Sequence, residues 1–395
     1  MKSVLRVAMN GVTGRMGYHQ HLTRSVLPIR DQGGITLSDG STVAVEPILV
    51  GRNAGKLAEI SARHQVETWS ADLDRVLADP TVDVYFDAQA TSQRFPALAS
   101  AMRAGKAVYA EKPTAATFSD ALALVRLAQE AGVVSGVVHD KLYLPGLRKL
   151  RRLVDEGFFG RILSLRGEFG YWVFEGDLQP AQRPSWNFRR EAGGSITVDM
   201  FSHWSYVLEG VIGSVDAVTA RLATHIPKRW DERDQPYEAT ADDAAYAIFE
   251  LTTADGDSVI AQINSSWTVR VHRRELVEFQ VDGTLGSAVA GLFSCVAQPR
   301  SLTPMPVWNP DEPVAEHFLA QWREVPDRIA FGHGFRSQWE EYLRDVAMGK
   351  PHRHGFASAA RGMALAEAAL RSSAEGRRVE PELVEFGAPC LTAQR

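Results

Sequence analysis

The feature that most constrains this sequence is the alternation filling its first third. Short apolar runs occur at Leu5 to Met9, Pro47 to Val50, Val82 to Phe86, Val108-Tyr109 and Val133 to Val138. Between them lie segments of helical period, Leu57 to His64, Leu73 to Leu77, Phe95 to Arg103 and Phe118 to Ala131. Gly105 and Gly132 close the last two, as residues that tolerate left-handed backbone do. Strands separated by crossover helices lie parallel, so the pattern predicts a doubly wound α/β sheet. Residues 28–44 read as an insertion. Ile35 to Ser38 and Ser41 to Val43 flank Asp39-Gly40, which is a hairpin signature. The insertion is expected to delay the second strand until Pro47.

The first strand runs into Asn10-Gly11-Val12-Thr13-Gly14-Arg15-Met16-Gly17. Glycines let backbone approach a pyrophosphate, and the helix start that follows favours its charge. The second strand ends in Gly51-Arg52-Asn53, with no carboxylate where NAD enzymes commonly bind the ribose 2′-hydroxyl. This favours NADP(H), with Arg52 near the 2′-phosphate. Arg52 stacked on the adenine of NAD is the alternative. The strand at Val108-Tyr109 ends abruptly at Ala110-Glu111-Lys112-Pro113, because proline offers no N–H to a ladder. Ligands of open α/β sheets bind at the carboxyl ends of strands, so Glu111 and Lys112 are candidate site residues. A surface Glu-Lys pair is the plain alternative.

After Val138 the texture changes. A helix from Leu147 to Asp155 precedes strands at Ile162 to Tyr171, Val215 to Ala223, Ala244 to Leu251, Ser258 to Ser266 and Leu276 to Asp282. Turns join them, which predicts a second, mainly antiparallel sheet. Residues 295–332 show no clear period, and helices are expected at about 335–348 and 355–375. The expected division is 1–140 for nucleotide binding and 141–395 for substrate binding and oligomerisation. The last helices are expected to pack back on the first part.

Within the second part, Asp199 and His203 stand four apart in a helical run that starts near Ser195, so they share one face. A carboxylate beside an imidazole can orient it and raise its basicity, which suits proton transfer with a substrate hydroxyl. A helix pair with no chemical role is the plain alternative, and a metal is a weaker one, since no third ligand sits at a useful spacing. Trp186 and Arg189 precede this helix and suit a sugar face with its hydroxyls or an anionic group; a rim loop with exposed arginines is the alternative. His139, at a strand's end, is a further candidate for substrate contact. His352 and His354 read as a solvated loop, and Lys228-Arg229-Trp230 as a surface turn.

The 395 residues are too many for one ordinary core, and 45% hydrophobic with 23% charged residues is the balance of a soluble globular protein. A net charge of −5 gives no reason to expect nucleic acid or an anionic membrane as partner. Cys295 and Cys390 form no metal or redox motif. Met1 to Arg6 begins no long apolar stretch, and a cytoplasmic location is expected.

Together these residues resemble the glucose-fructose oxidoreductase, inositol dehydrogenase and rhizopine-catabolism family, Gfo/Idh/MocA. The resemblance rests on the glycine turn at 11–17, on Ala104-Gly105-Lys106 leading to Glu111-Lys112-Pro113, and on Asp155-Glu156-Gly157 with Gly160-Arg161-Ile162. Gly193-Gly194 followed by Asp199 and His203, and Leu365-Ala366-Glu367-Ala368 near the end, complete it. It covers essentially the whole chain. The resemblance implies a Rossmann domain, then an open, mostly antiparallel sheet domain with flanking helices, in a homodimer or homotetramer joined through that sheet. It implies hydride transfer between NAD(P) and a sugar or cyclitol carbon. Cofactor contacts would fall to Gly11, Thr13, Gly14, Arg15, Met16, Arg52, Asn53, Ala88, Gln89, Glu111 and Lys112. Lys112 would contact the nicotinamide ribose and the reacting hydroxyl, Asp199 would orient substrate, and His203 would be the general acid/base. His139, Lys141, Trp186 and Arg189 would complete the substrate contacts. Where members carry Asn-Tyr-Arg this chain has Asp140-Lys141-Leu142, and Gln89-Ala90-Thr91 replaces Thr-Pro-Asn. Two other activities share the superfamily: an NAD-dependent glycoside hydrolase working by transient oxidation, and a non-catalytic nucleotide sensor.

Overall fold

Among the described residues, seven strands occupy the first part of the chain: β1 (Val4–Asn10), β2 (Ile35–Thr36), β3 (Thr42–Val50), β4 (Thr68–Ser70), β5 (Val84–Asp87), β6 (Ala107–Ala110) and β7 (Ser135–Val137). The computed structural model describes residues 3–172, 183–306, 309, 311–312 and 317–382, so Cys390 lies outside the described residues. The chain divides into two compact units, one built on Met1–Tyr143 with Phe331–Ala364, the other on Leu144–Ala330 with Leu365–Glu382.

In the first unit β2 pairs antiparallel with the start of β3, and every other pairing is parallel. Setting β2 aside, the order is β4-β3-β1-β5-β6-β7, with the reversal at β1 that opens a dinucleotide crevice. The hairpin forms, with Ile35 opposite Val43, but it does not delay the second strand. β3 runs unbroken from Thr42 through Pro47, because Val43 and Val45 already alternate inward. The stretch before the hairpin is helical over Leu27–Asp31. β4 was not legible: three residues without an apolar run carry no strand signal. The first helix, Met16–Val26, is wound with the wide π-helical turn.

Helix Gly334–Met348 belongs to this unit. Trp339 and Tyr342 enter the core, with Tyr342 stacked on Tyr109 at 4.6 Å and Trp339 edge-on to Tyr109 at 4.5 Å. Gly136 makes this possible. A Cβ there would stand 2.6 Å from the Tyr342 ring.

The second unit holds β8 (Ile162–Gly170), β9 (Gly213–Ala223), the small hairpin of β10 (Lys228–Trp230) and β11 (Pro236–Glu238), then β12 (Ala244–Thr253), β13 (Ser258–Ser266), β14 (Val277–Gly283), β15 (Gly286–Ala290), β16 (Cys295–Pro299) and β17 (Arg323–Glu324). The main sheet has the order β17-β16-β15-β14-β8-β13-β12-β9. Among the described residues, only β8 and β13 pair in parallel within it. One face is apolar and buried through Phe249, Leu251, Ile263, Phe279 and Val281. Helix Ile196–Val211 covers it. Phe201 packs on Phe249, and Trp204 lies between Phe169 and Phe279 while its indole N–H donates to Ser265. These contacts tie one face of the helix to four strands, β8, β12, β13 and β14, which fixes its rotation over the sheet. Among the described residues, no helix is long and apolar enough to cross a membrane.

Candidate active site

The first unit presents its polar groups at the carboxyl ends of β1, β5 and β6. After β1, Gly11 has φ of +89°, and a Cβ there would meet the Ala88 carbonyl carbon at 2.6 Å. Only glycine lets the turn close on the loop after β5. At Gly17 a Cβ would lie 2.3 Å from the Gly11 oxygen, so the helix packs directly on the turn. The cradle that results, backbone at a helix start with no side chain in the way, fits a pyrophosphate. Beside it is a hollow of about 220 Å³ lined by Thr13, Gly14, Arg15, Tyr18, Lys56 and Arg63 among others. Arg63 is tied to Glu59 at 2.5 Å, whereas Arg15 and Lys56 form no ion pair among the described residues. The hollow is therefore positive. Arg52 is exposed and is not part of its lining. Asn53 is used structurally: its Oδ1 caps helix Ala54–His64 by accepting from the Lys56 amide at 3.0 Å.

Glu111 and Lys112 follow β6 directly, joined to Pro113 by a cis peptide. Glu111 is 8% exposed and Lys112 half-buried. One Glu111 oxygen accepts the Lys112 amide at 3.1 Å, and the other takes Nε2 of His21 at 2.8 Å. On the far side of that ring, Nδ1 of His21 accepts the Trp339 indole N–H at 3.0 Å. An indole nitrogen only donates, so Nδ1 carries a lone pair and the hydrogen sits on Nε2, facing Glu111. Burial acts to raise the Glu111 carboxyl. The hydrogen bond from His21, with the charges of Arg94 and Lys112, overcomes this and holds it below the usual range. Glu111 is thus a buried anion with both oxygens committed, anchoring the backbone from which Lys112 extends.

A second buried network braces the same edge. Asn10 donates to the Tyr85 hydroxyl at 2.9 Å, and Tyr85 donates to Asp87 at 2.7 Å. Burial, then the Asp87 charge, pushes the Tyr85 phenol up, so it stays a donor. Asp87 also accepts the Gln89 amide at 2.9 Å and Arg94 Nε at 3.2 Å. Arg94 in turn donates to the Gln89 and Pro113 carbonyls. One guanidinium therefore ties the loop after β5 to the segment after Lys112. Ala88 and Gln89 sit within this brace, against the glycine turn.

In the second unit, Asp199 and His203 lie on one face of helix Ile196–Val211, whose start is capped by Ser195. Nδ1 of His203 pairs with the Tyr206 hydroxyl at 2.6 Å. Asp199 receives Arg183 at 3.2 Å. Neither Tyr206 nor Arg183 was singled out in the sequence: a tyrosine at three residues' spacing and an arginine outside any motif carry no local signal. Trp186 is 52% exposed, and the Arg189 guanidinium lies 4.1 Å over the Tyr237 ring.

The remaining expectations fare differently. His139 is 2% exposed, with its ring against His354 and Nδ1 atoms 3.4 Å apart. Lys141 has its ammonium 3.8 Å from Asp140. His352 and His354 are buried, not solvated: His352 bonds Asp345 at 2.7 Å, and His354 packs on His139 and Tyr143. Glu341, Asp345 and His352 bring ligand-type atoms within 4.8 Å, yet Glu341 is already engaged by Tyr143 and Arg353. Arg229 is not at a surface turn. It is fully buried, paired with Asp243 at 2.9 Å and stacked on Phe188 at 3.8 Å, because β10 turns it inward. An arginine beside Lys228 and close to Asp231, Glu232 and Arg233 hides such burial from sequence inspection.

Residues 5–139 match the family described as "Oxidoreductase family, NAD-binding Rossmann fold", and residues 147–289 match the "GFO/IDH/MocA C-terminal domain". The chain is 65% identical over 382 residues to D-xylose dehydrogenase of Paenarthrobacter nicotinovorans, covering 96% of this chain and 98% of that one. It is 28% identical over 266 residues to 1,5-anhydro-D-fructose reductase of Ensifer adhaerens, covering 65% and 70%. Among solved structures, levoglucosan dehydrogenase in complex with NADH and L-sorbose shares its fold with a TM-score of 0.77 at 21% identity, covering 97% of this chain and all of the other. The chain belongs to the Gfo/Idh/MocA family of oxidoreductases and carries that family's NAD-binding Rossmann domain.

Proposed function

We propose that this protein is an aldose dehydrogenase that oxidises a hydroxyl-bearing carbon of D-xylose or a closely similar pentose. The observation that carries this reading is the 65% identity to a D-xylose dehydrogenase across 96% of the chain. Bound NAD(P)+ supplies the hydride acceptor. His203 takes the hydroxyl proton, its ring held by Tyr206 through Nδ1. The Lys112 ammonium stabilises the developing alkoxide, where a cation aimed at transition-state charge is most effective. Asp199 accepts from a neighbouring sugar hydroxyl and sets which carbon faces the hydride acceptor. Loss of one hydride and one proton leaves a carbonyl.

The preferred cofactor in this reading is NADP+. The positive hollow beside the glycine turn supports it, with Arg15 and Lys56 as the partners of a 2′-phosphate in place of Arg52. The exposed face of the second sheet carries Tyr246, Ile248 and Ile260, each 42–47% exposed, beside Arg166, Glu168 and Gln262. We assign this face to contact with a second copy of the chain. Purified protein with D-xylose and either cofactor tests the reading. Accumulation of reduced cofactor is expected. Sugar release from a xyloside without net reduction would identify a glycosidase.

A further inference from the structure

We infer that Arg183 is a positioning residue for the substrate-binding carboxylate of Asp199, fixing it in the orientation that receives a sugar hydroxyl. The inference rests on the dehydrogenase reading above. Its basis is a convergence of four separate elements on one guanidinium. Its Cζ lies 4.4 Å over the ring of Trp267, which is fully buried just after β13. Its outer nitrogen reaches Asp199 at 3.2 Å and the Asn187 side-chain oxygen at 3.3 Å. The Nε and the second outer nitrogen both reach the Tyr171 hydroxyl, at 3.4 Å, just past β8.

A planar group held on one face and both edges has one orientation. Asn187 is itself locked: its amide donates to the Pro184 carbonyl at 2.9 Å, which turns its oxygen toward Arg183. Asp199 and Arg183 keep about a quarter of their side-chain surfaces exposed, 26% and 28%, so the pair opens outward. The arrangement presents an oriented carboxylate whose charge is balanced by its own brace. Such a pair suits an uncharged polyol, since a carboxylate alone would repel anions and attract cations without choosing hydroxyls.

Arg183 acts through Asp199, so its removal and the removal of Asp199 are expected to be non-additive. The test measures kcat and KM for D-xylose with NADP+ in wild type, Arg183→Ala, Arg183→Lys, Asp199→Asn and the Arg183→Ala/Asp199→Asn double variant, with a melting curve for each. Loss of carboxylate placement is expected to lower kcat/KM of Arg183→Ala roughly 30- to 100-fold, chiefly through KM, as misplacement of an orienting group does. The double variant is expected within about threefold of Asp199→Asn alone. Added guanidinium is expected to restore part of the Arg183→Ala activity and none of the Asp199→Asn activity. Cofactor affinity is expected to stay unchanged. Should Arg183→Ala not fold, Arg183→Lys carries the test, because it keeps the charge and loses the fork; an unchanged KM in that folded variant would overturn the inference. Additive losses, or an Arg183→Ala enzyme within threefold of wild type, would also overturn it while leaving the dehydrogenase reading intact. An inert wild type removes that reading and this inference together.

Discussion

Nε2 of His21 stands 2.8 Å from Oε1 of Glu111, across a separation of 90 residues. The contact joins the first helix to the segment that carries Lys112. Replacing His21 with Leu leaves a buried carboxylate short of a partner and the Trp339 indole without an acceptor. A loss of about 2–4 kcal/mol is expected in urea unfolding, with a fall in kcat as the Lys112 backbone loosens. His21→Gln, which can still donate to Glu111, is expected to recover part of both.

Asp87 and Arg94 form a buried ion pair with side chains 0% and 4% exposed. Breaking such a pair on one side strands a charge. Arg94→Met is expected to destabilise the protein by roughly 3–5 kcal/mol, read by chemical denaturation. Replacing both, Asp87→Asn with Arg94→Met, is expected to cost less than the sum of the single changes.

Arg15 and Lys56 give the cofactor choice a direct handle. Arg15→Ala with Lys56→Ala is expected to raise KM for NADP+ about tenfold or more per lost phosphate contact, with little effect on KM for NAD+. The ratio of kcat/KM for the two cofactors reads the result. An equal change for both would show that these side chains do not meet a 2′-phosphate.

The buried pair His139 and His354 makes stability depend on mild acid. Burial, and then neighbouring charge, holds both imidazoles well below the ordinary value of 6.5. The unfolded chain takes up protons near that value while the folded one does not. Stability is therefore full above the unfolded value and declines as pH falls through and below it, by up to about 1.4 kcal/mol per pH unit for each ring. Melting curves between neutral pH and about pH 5 would show it, and His139→Phe is expected to flatten the slope.

How much of this was legible follows from how far each signal reaches along the chain. The parallel sheet, the glycine turn, Glu111-Lys112 at a strand end and the Asp199/His203 face are local patterns, and the sequence carries them. His21 is different. Its importance lies in Glu111 and Trp339, which are distant in sequence, and no periodicity links them. Arg229 and His352 look solvated because polar residues surround them in the chain, yet each has a buried carboxylate or ring waiting in another element. β15 and β16 follow a tight hairpin and lie in stretches of small residues, where alternation is faint. Arg183 escaped notice because its partners converge only when β8, helix Ile196–Val211 and Trp267 are brought together by the sheet.

The most direct measurement follows reduced-cofactor absorbance when D-xylose and NADP+ are added to wild type and to Lys112→Met, with the fold of each checked by melting. Steady accumulation in the wild type is predicted, together with a loss of about a thousandfold or more in a Lys112→Met protein that melts normally. A wild type that accumulates no reduced cofactor with any pentose, or a Lys112→Met enzyme as fast as the parent, would contradict the account.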